Sequence, residues 1–538
     1  MKKQLYILFS FAFYLVQAQS NFTSSNLPIV KINTNGKSIG EDIKIVADMS
    51  VIDGKNGVNK PTDVATYQGK IGIELRGSTS LFLSDRKPYS VETRQDDGIS
   101  NKNMELLGLP KENDWAFLAP FADKTLIREA FMYDLANQLM PWAPHFRFVD
   151  VMVNEKYEGI YMVTEKIKQG KNRVNIDKME VTDNDGDELT GGYIFAFDKL
   201  KNKDVFFYSK YLYPNQSAYP EYVIASPKTD NISTTQKDYL RKWVHDFEEV
   251  MRSPKYNDVN TGYPKIIDVQ SFVDFVLLNE LSRNIDGYRL STYFHKDKNS
   301  IDGRLHAGPA WDYNITLGNA NYCNAQSTSG WAFDFNNICG QDKWTIHFWW
   351  QKLIEDQQFR ILLKKRWQTL RKKDWTNTQL EQKIDSLKNI IGDAHNEHFK
   401  RFNILKKSVW PNPAIYHTYA NEVWALKDWT KKRADWMDSA FADITEVSTK
   451  LGEGESFKIY PNPTTELVTF EFKSNFDNSK YTVEFYNING QMVHSESTQF
   501  LTRWNHTLQV NLSNLPKGIY FYRFTGLGGI KMGKILKN

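Results

Sequence analysis

Cysteine is nearly missing from this chain: two in 538 residues, Cys323 and Cys339. Two cysteines with no histidine pair beside them exclude a structural zinc site. They leave two readings, one disulfide or two free thiols, and export would favour the bridge. Charge of one sign is missing too, with 68 basic against 64 acidic residues and a formal net charge of +4. That balance implies no nucleic-acid partner. A Gly-x-Ser-x-Gly motif is absent, and no serine–histidine pairing for acyl transfer stands out. Long apolar runs are missing except for one. Lys2 and Lys3 precede Leu5 to Leu15, and Val16-Gln17-Ala18 follows. This run is too short to span a bilayer and reads as a signal peptide over residues 1–18, cut after Ala18. The mature protein is therefore expected to have no transmembrane segment.

What is present is length for about three domains and a hydrophobic fraction of 41 %, enough for real cores. Aromatics reach 14 % with 15 Trp. Either broad stacking surfaces, as for carbohydrate, or plain core filling would use them, and core filling is the expectation. Alternating stretches at Pro28–Ile32, Asp42–Val46, Gly72–Leu75 and Tyr89–Glu92 predict strands. A helix is expected from an Asp123 N-cap, with Leu126, Ile127, Ala130, Phe131, Leu135 and Leu139 as its apolar stripe, ended by Pro141. Strands return at Phe146–Val153, Gly159–Glu165 and Gly192–Phe197.

From Thr234 the period becomes helical. Leu240, Trp243, Val244, Phe247 and Val250 line one helix, and a second runs from about Asp268 to just before Asn284. Further helices are expected over His347–Arg371, Thr376–Phe402 and Asn421 to about Phe441. A polar, Gly-rich stretch near Thr449–Glu455 reads as a linker. Beyond it, Leu467–Phe472, Tyr481–Asn487, Leu508–Leu512 and Gly518–Phe524 predict strands with an Asn489-Gly490 turn. The expected division is a β-rich lobe (28–233), a mainly helical lobe (234–447), a linker (448–456) and a β-sandwich (457–538).

The richest stretch is Asn284–Asn314, near the junction of the β-rich and helical parts. It reads as loop, strand (Arg289–Lys296), turn, strand (Arg304–Ala310), loop. A hairpin brings its ends together, so Asp286 and Asp312 should meet at one rim. Protein kinases place one Asp on the attacking hydroxyl and a second on the magnesium of the phosphates in such a layout. Two turn aspartates of a structural hairpin would look the same. Leu75-Arg76-Gly77-Ser78-Thr79-Ser80 follows a strand, and Arg76 with the backbone around Ser78 could face an anion; a plain turn is the alternative. Lys87 and Glu165 could form the lysine–glutamate pair that kinases use on the α and β phosphates, or could be two strand-end charges. Asp183–Glu188 lacks the glycine placement of a calcium loop and reads as a solvated turn. His295 and His306 face each other across the hairpin and suit packing better than metal binding.

Taken together these residues resemble the CotH kinase family. The likeness rests on Ile73–Ser80, Lys87-Pro88-Tyr89-Ser90, Leu106–Pro110, Asn113-Asp114-Trp115, Pro120–Arg128, Gly159-Ile160-Tyr161 with Glu165, Asn284-Ile285-Asp286-Gly287 and Gly308-Pro309-Ala310-Trp311-Asp312. The resemblance implies an α+β, two-lobed atypical protein-kinase-like fold that binds ATP with Mg2+ and phosphorylates serine of secreted or surface proteins. By that likeness Asp286 is catalytic, Asp312 and Asn314 hold the metal, and Arg76, Ser78, Lys87 and Glu165 serve the nucleotide. Ser291 departs from the kinase pattern, which places a metal-holding Asn five residues after the catalytic Asp. That departure keeps open a second reading, a non-catalytic surface scaffold with a kinase-shaped fold.

The tail resembles the C-terminal sorting domain of type IX secretion in Bacteroidetes-like bacteria. Tyr460-Pro461-Asn462-Pro463, Tyr486–Gly490, Leu515–Tyr520 and the basic end Lys531–Lys537 carry that likeness. It implies the type IX machinery as a partner and a secreted or outer-membrane-surface location. A small carbohydrate-binding sandwich is the alternative for this domain.

Overall fold

The computed structural model describes residues 22–538 except 55–56, 79–80, 83, 85, 203, 443, 445–456, 475–478, 501–503 and 527–528. The expected signal peptide and the expected 448–456 linker lie outside the described residues. The chain forms two compact units, each assembled from separated stretches. One takes the residues up to Phe131 with Pro144–Lys166 and Ile384–Trp424; the other takes Met132–Ala143, Ile167–Lys383 and Ala425–Asn538.

The first unit is built on a closed barrel. Its strands are β1 (Ile29–Asn33), β2 (Ile45–Ile52), β3 (Tyr67–Leu75) and β4 (Tyr89–Arg94). After a separate ribbon of β5 (Met104–Leu106) and β6 (Leu109–Glu112) come β7 (Asp114–Leu118), β8 (Phe146–Val153) and β9 (Lys156–Glu165). The order around the barrel is β1-β2-β3-β4-β7-β9-β8, and β1 closes on β8 as a parallel pair, Ile29 opposite Asp150 through Ile32 opposite Val153. The period-2 pattern explains the closure: Val30, Ile32, Met49, Val51, Ile71, Ile73, Val91, Trp115, Phe117, Val149, Val151, Tyr161 and Val163 all point inward and form one core. A barrel of seven strands is narrow enough for these side chains to fill it.

The expected helix after Asp123 begins later, as α1 (Arg128–Ala136). Leu126 sits in the left-handed region at φ 65°, which a helix cannot absorb. Asp123 caps the intervening turn instead, accepting from the Thr125 and Arg128 amides at 3.0 and 2.8 Å.

The second unit holds a five-stranded sheet and most of the helices. The sheet order is β11 (Phe206–Tyr208), β12 (Glu221–Ser226), β10 (Tyr193–Phe197), β13 (Thr292–Lys296), β14 (Leu305–Ala307). Helix α2 (Thr234–Arg252) starts with a capping box between Ser233 and Gln236, and α3 (Val269–Ser282) follows. The expected His347–Arg371 helix is two: α4 (Phe348–Glu355) and α5 (Gln357–Lys372), with Asp356 between them accepting from the Gln358 amide. Phe294 on β13 packs against Phe195, Phe272, Trp349 and Trp350, and the two tryptophans stack at 4.5 Å. Trp115, Trp349, Trp350, Trp367 and Trp375 are fully buried, so much of the tryptophan content is core.

The expected Thr376–Phe402 helix is also two, α6 (Asn377–Ile391) and α7 (Ala394–Arg401), broken at Gly392 with φ +50°. The last is α8 (Tyr419–Ala442). The C-terminal domain is a sandwich. A sheet of β15 (Lys458–Tyr460), β16 (Leu467–Ser474) and β19 (Trp504–Asn511) shares one core with a sheet of β17 (Ser479–Tyr486), β18 (Met492–Phe500), β20 (Gly518–Gly526) and β21 (Gly529–Lys537). Among the described residues no helix is long and apolar enough to cross a membrane. The α+β class holds, with a closed barrel as its β-rich part.

Candidate active site

Helix α3 is buried on nearly every face, so its last turn carries polar groups into the interior. Asn279 Oδ1 accepts from Asn284 Nδ2 at 3.1 Å and from the Tyr313 hydroxyl at 3.2 Å. That one amide ties the loop after the helix to the segment beside Asp312. Glu280 accepts from the Tyr288 hydroxyl (2.8 Å), the Ala332 and Phe333 amides (2.7 and 3.0 Å) and Arg433 (3.2 Å). Burial raises its carboxyl above the usual range, against the pull of Arg433 and these donors. The same burial brings Arg433 down to about 9.

The helix ends at Arg283 in the left-handed region (φ 47°), and Tyr288 and Ser291 follow at 71° and 48°. Such backbone in non-glycine residues persists only where surrounding contacts over-determine it. This is why the expected strand from Arg289 begins only at Thr292. Gly287 has no room for a side chain: a Cβ there would lie 2.5 Å from Asn279 Oδ1.

Asp286 caps this loop, half-buried, with Oδ1 accepting from Arg289 Nη2 at 2.9 Å. Arg289 is itself buried. Its Nε donates to the Ile285 carbonyl (2.7 Å) and its Nη1 to the Trp344 carbonyl (2.9 Å) and Asp342 (3.3 Å). The hairpin then runs in register, with His295 opposite His306 and the two rings stacked at 4.9 Å. Burial, then the neighbouring His306, lowers His295 to about 4. Beyond the hairpin, Asp312 is again left-handed (φ 63°) and accepts from Asn314 Nδ2 at 2.5 Å.

The two ends of the stretch are joined through Asn279, and the charges at both ends act on Tyr322. Burial is the main cause raising that phenol, and the charges of Asp286, Asp342 and Asp312 all add to it. Asp198, just past β10, is raised by burial and feels the charge of Asp286 as well. The sequence reading missed Asp198, Arg289 and Asp342. Arg289, three residues after Asp286, was open to a helical-spacing argument; Asp198 and Asp342 carry no local signal.

The other expected residues belong to the first unit. Arg76 follows β3, and its amide donates to the Pro88 carbonyl at 3.1 Å, closing a loop that contains Ser78. Lys87 donates to the carbonyls of Leu81 and Ser84 at 2.5 and 2.6 Å. Glu165, fully buried, accepts from the His145 amide at 3.0 Å and lies 2.8 Å from its ring Nδ1. Lys87 is thus held by loop carbonyls and Glu165 by His145; a pair between them was one of the two readings open in the sequence.

Oxygen donors suit magnesium, which keeps waters or phosphate oxygens for most of its shell and takes only one or two protein ligands. The Asp312–Asn314 pair fits that demand: the Asn314 amide, donating through nitrogen to Asp312, directs its carbonyl oxygen elsewhere. Among the described residues no group of three or more His, Cys, Asp or Glu side chains is arranged to hold a metal alone. The Asp183–Glu188 turn spends its acids on hydrogen bonds, Asp187 to Ser300 and Glu188 to Lys298.

A serine–histidine contact does exist that the sequence did not disclose. Ser209 lies 3.0 Å from His347 Nε2 and donates to Glu248 at 2.7 Å, while His347 Nε2 lies 3.1 Å from Glu248. Both partners meet the same ring nitrogen and all three residues are buried. That arrangement braces the core and is no relay to a substrate.

Cys323 and Cys339 are joined, their Cα atoms 5.5 Å apart. The loop they close lines the same region: Asn324 and Gly330 carbonyls accept from Arg283, and Thr328 and Gly330 carbonyls from Arg433.

Comparison with known proteins gives two matches. The family described as CotH kinase protein matches residues 73–437, and the secretion system C-terminal sorting domain matches residues 458–538. No curated protein matches the chain.

Proposed function

The chain belongs to the CotH kinase protein family, and from that premise we propose that it transfers the γ-phosphoryl group of ATP to serine on secreted or surface proteins. Its sorting domain marks it for type IX export to the cell surface or beyond. The observation that supports the proposal is that one side chain, Asn279, accepts hydrogen bonds from both Asn284 and Tyr313, which tie down the segments carrying Asp286 and Asp312 at the two ends of one hairpin. In this reading Asp286, oriented by Arg289, accepts the hydrogen bond of the serine hydroxyl and takes its proton. Asp312 and Asn314 hold the cation. Magnesium-ATP, when bound, supplies the phosphoryl group: the serine O–P bond forms and the bond to the ADP oxygen breaks. Arg76, Ser78, Lys87 and Glu165 are proposed to serve the nucleotide through the loop that Lys87 braces, and the two lobes of a kinase-like fold belong to the same proposal.

The test is transfer from γ-labelled ATP to a mixed serine protein such as casein. Asp286→Ala and Asp312→Ala should each reduce labelling at least a hundredfold, the scale on which loss of a positioned catalytic group is felt. Labelling equal to the wild type in both variants rejects the assignment. The second reading, a non-catalytic scaffold, draws support from Ser291. It requires that magnesium-ATP leave the thermal midpoint unmoved; a nucleotide at ten times its Kd would add about 1.4 kcal/mol.

A further inference from the structure

Beside Asp286 lies a feature that the phosphoryl-transfer reading leaves unused. Two lysines from distant parts of the second unit converge on one indole. Lys199 Nζ is 5.1 Å from the centre of the Trp344 ring, and Lys343 Nζ is 4.7 Å from it. Lys199 follows Asp198 at the end of β10, and Lys343 lies on the loop leading to α4. Among the described residues neither ammonium has a carboxylate within salt-bridge distance, and the acids that feel their charges, Asp198 for Lys199 and Glu221 for Lys343, lie farther off. Two ammoniums brought to one ring repel each other, and an anion bound beside them would relieve that repulsion. Trp344 and Lys199 are half-buried and Lys343 is exposed, so a peptide can reach them. The position is fixed relative to Asp286: the Arg289 guanidinium that donates to Asp286 at 2.9 Å also donates to the Trp344 carbonyl at 2.9 Å.

We infer that Lys199, Lys343 and Trp344 form the subsite that selects the acceptor peptide, taking an anionic side chain next to the serine that Asp286 orients. This rests on the proposed role of Asp286. The anion is a carboxylate or phosphate on the peptide: Asp, Glu or an already phosphorylated Ser. The ATP phosphates are the other anion in such a site, and the peptide is favoured by placement. Trp344, whose ring the lysines approach, is tied through its carbonyl to Arg289 and so to the hydroxyl-orienting acid, Asp286. The indole offers a flat face for the stem of the flanking residue, and the ammoniums take its end.

The experiment uses the full chain and fluorescein-labelled peptides with one serine flanked by glutamate, by phosphoserine or by lysine. Anisotropy without ATP measures binding, so the result stands whether or not phosphate is transferred. Acidic peptides should bind at least tenfold tighter than the lysine-flanked one, with affinity falling as salt rises. Lys199→Ala with Lys343→Ala should abolish the preference, Lys199→Arg with Lys343→Arg should keep it, and Lys343→Glu should shift it toward the basic peptide. Equal binding of all peptides overturns the inference. So does a loss, in the double alanine variant, of magnesium-ATP binding in place of peptide selection, since the lysines would then serve the nucleotide. A glutamate-over-lysine preference without a phosphoserine preference assigns the subsite to carboxylates, and the reverse to phosphate. If the wild type keeps the acidic preference but transfers no phosphate, the proposed activity fails and this subsite survives.

Discussion

Reducing the Cys323–Cys339 bridge should loosen the loop around Asp286 long before it unfolds the rest. The two cysteines are 16 positions apart, and closing a loop of that length constrains the unfolded chain by about 3 kcal/mol. The loop between them supplies the Ala332 and Phe333 amides to Glu280 and the carbonyls to Arg283 and Arg433. Opening it would leave a buried carboxylate short of two donors, so the loss falls first on this region. The assay is hydrogen exchange read by mass spectrometry, on oxidised chain and on chain reduced and alkylated. About 3 kcal/mol corresponds to roughly a 150-fold faster opening. Peptides covering 280–289 and 328–334 should show it, while barrel peptides such as 146–165 should not change. Unchanged protection at Ala332 and Phe333 with both thiols verifiably alkylated would refute the reasoning.

Other outcomes follow from single positions. Gly287→Ala should cost about 1–3 kcal/mol by overpacking against Asn279, seen as a lower thermal midpoint; Gly287→Ala with Asn279→Ala should recover part of the steric loss. Asp150 is pushed up by burial to about 6 from an ordinary 3.8. A folded-state acid weaker than its unfolded form binds an extra proton on folding, so its contribution is most favourable below about pH 4 and is lost as pH rises through 6, by about 3 kcal/mol in full. Asp150→Asn should therefore gain on the wild type between pH 4 and 7 in thermal midpoint, and a constant offset across that range would contradict the argument. Asp286→Ala and Asp312→Ala should lose phosphate transfer with the fold intact by circular dichroism.

The strands were legible because burial on one face imposes a period of two. Ile71, Ile73 and Val91 announce β3 and β4, and the same logic found the C-terminal sandwich. The barrel was not legible, because its closing pair joins strands more than a hundred residues apart and parallel pairing leaves no turn between them. Helix breaks at Asp356 and Gly392 are not legible in the sequence: apolar spacing continues across both, and the capping carboxylate at one and the positive φ at the other decide the break. At the candidate site the hairpin and its two aspartates could be read from residue order. The partners of Asp286 could not. Arg289 reaches it through a left-handed loop, Asp342 shares that arginine from just beyond the disulfide at Cys339, and Asp198 follows another strand. Lys87 and Glu165 illustrate the converse, where residue types suited a pair and local carbonyls and His145 took them instead.

The parallel seam between β1 and β8 sets a hard stop for trimming at the amino end. Phe22 stacks on Tyr157 at 4.2 Å, and Ser25 bridges to Asn59, so the seam is reached through residues that are already anchored. A protease that stops ahead of Phe22 leaves the ring of strands whole. One that cuts beyond Asn33 strips a stave from the barrel and bares the hydrogen-bonding margins of β2 and β8, which would then recruit strands from other chains.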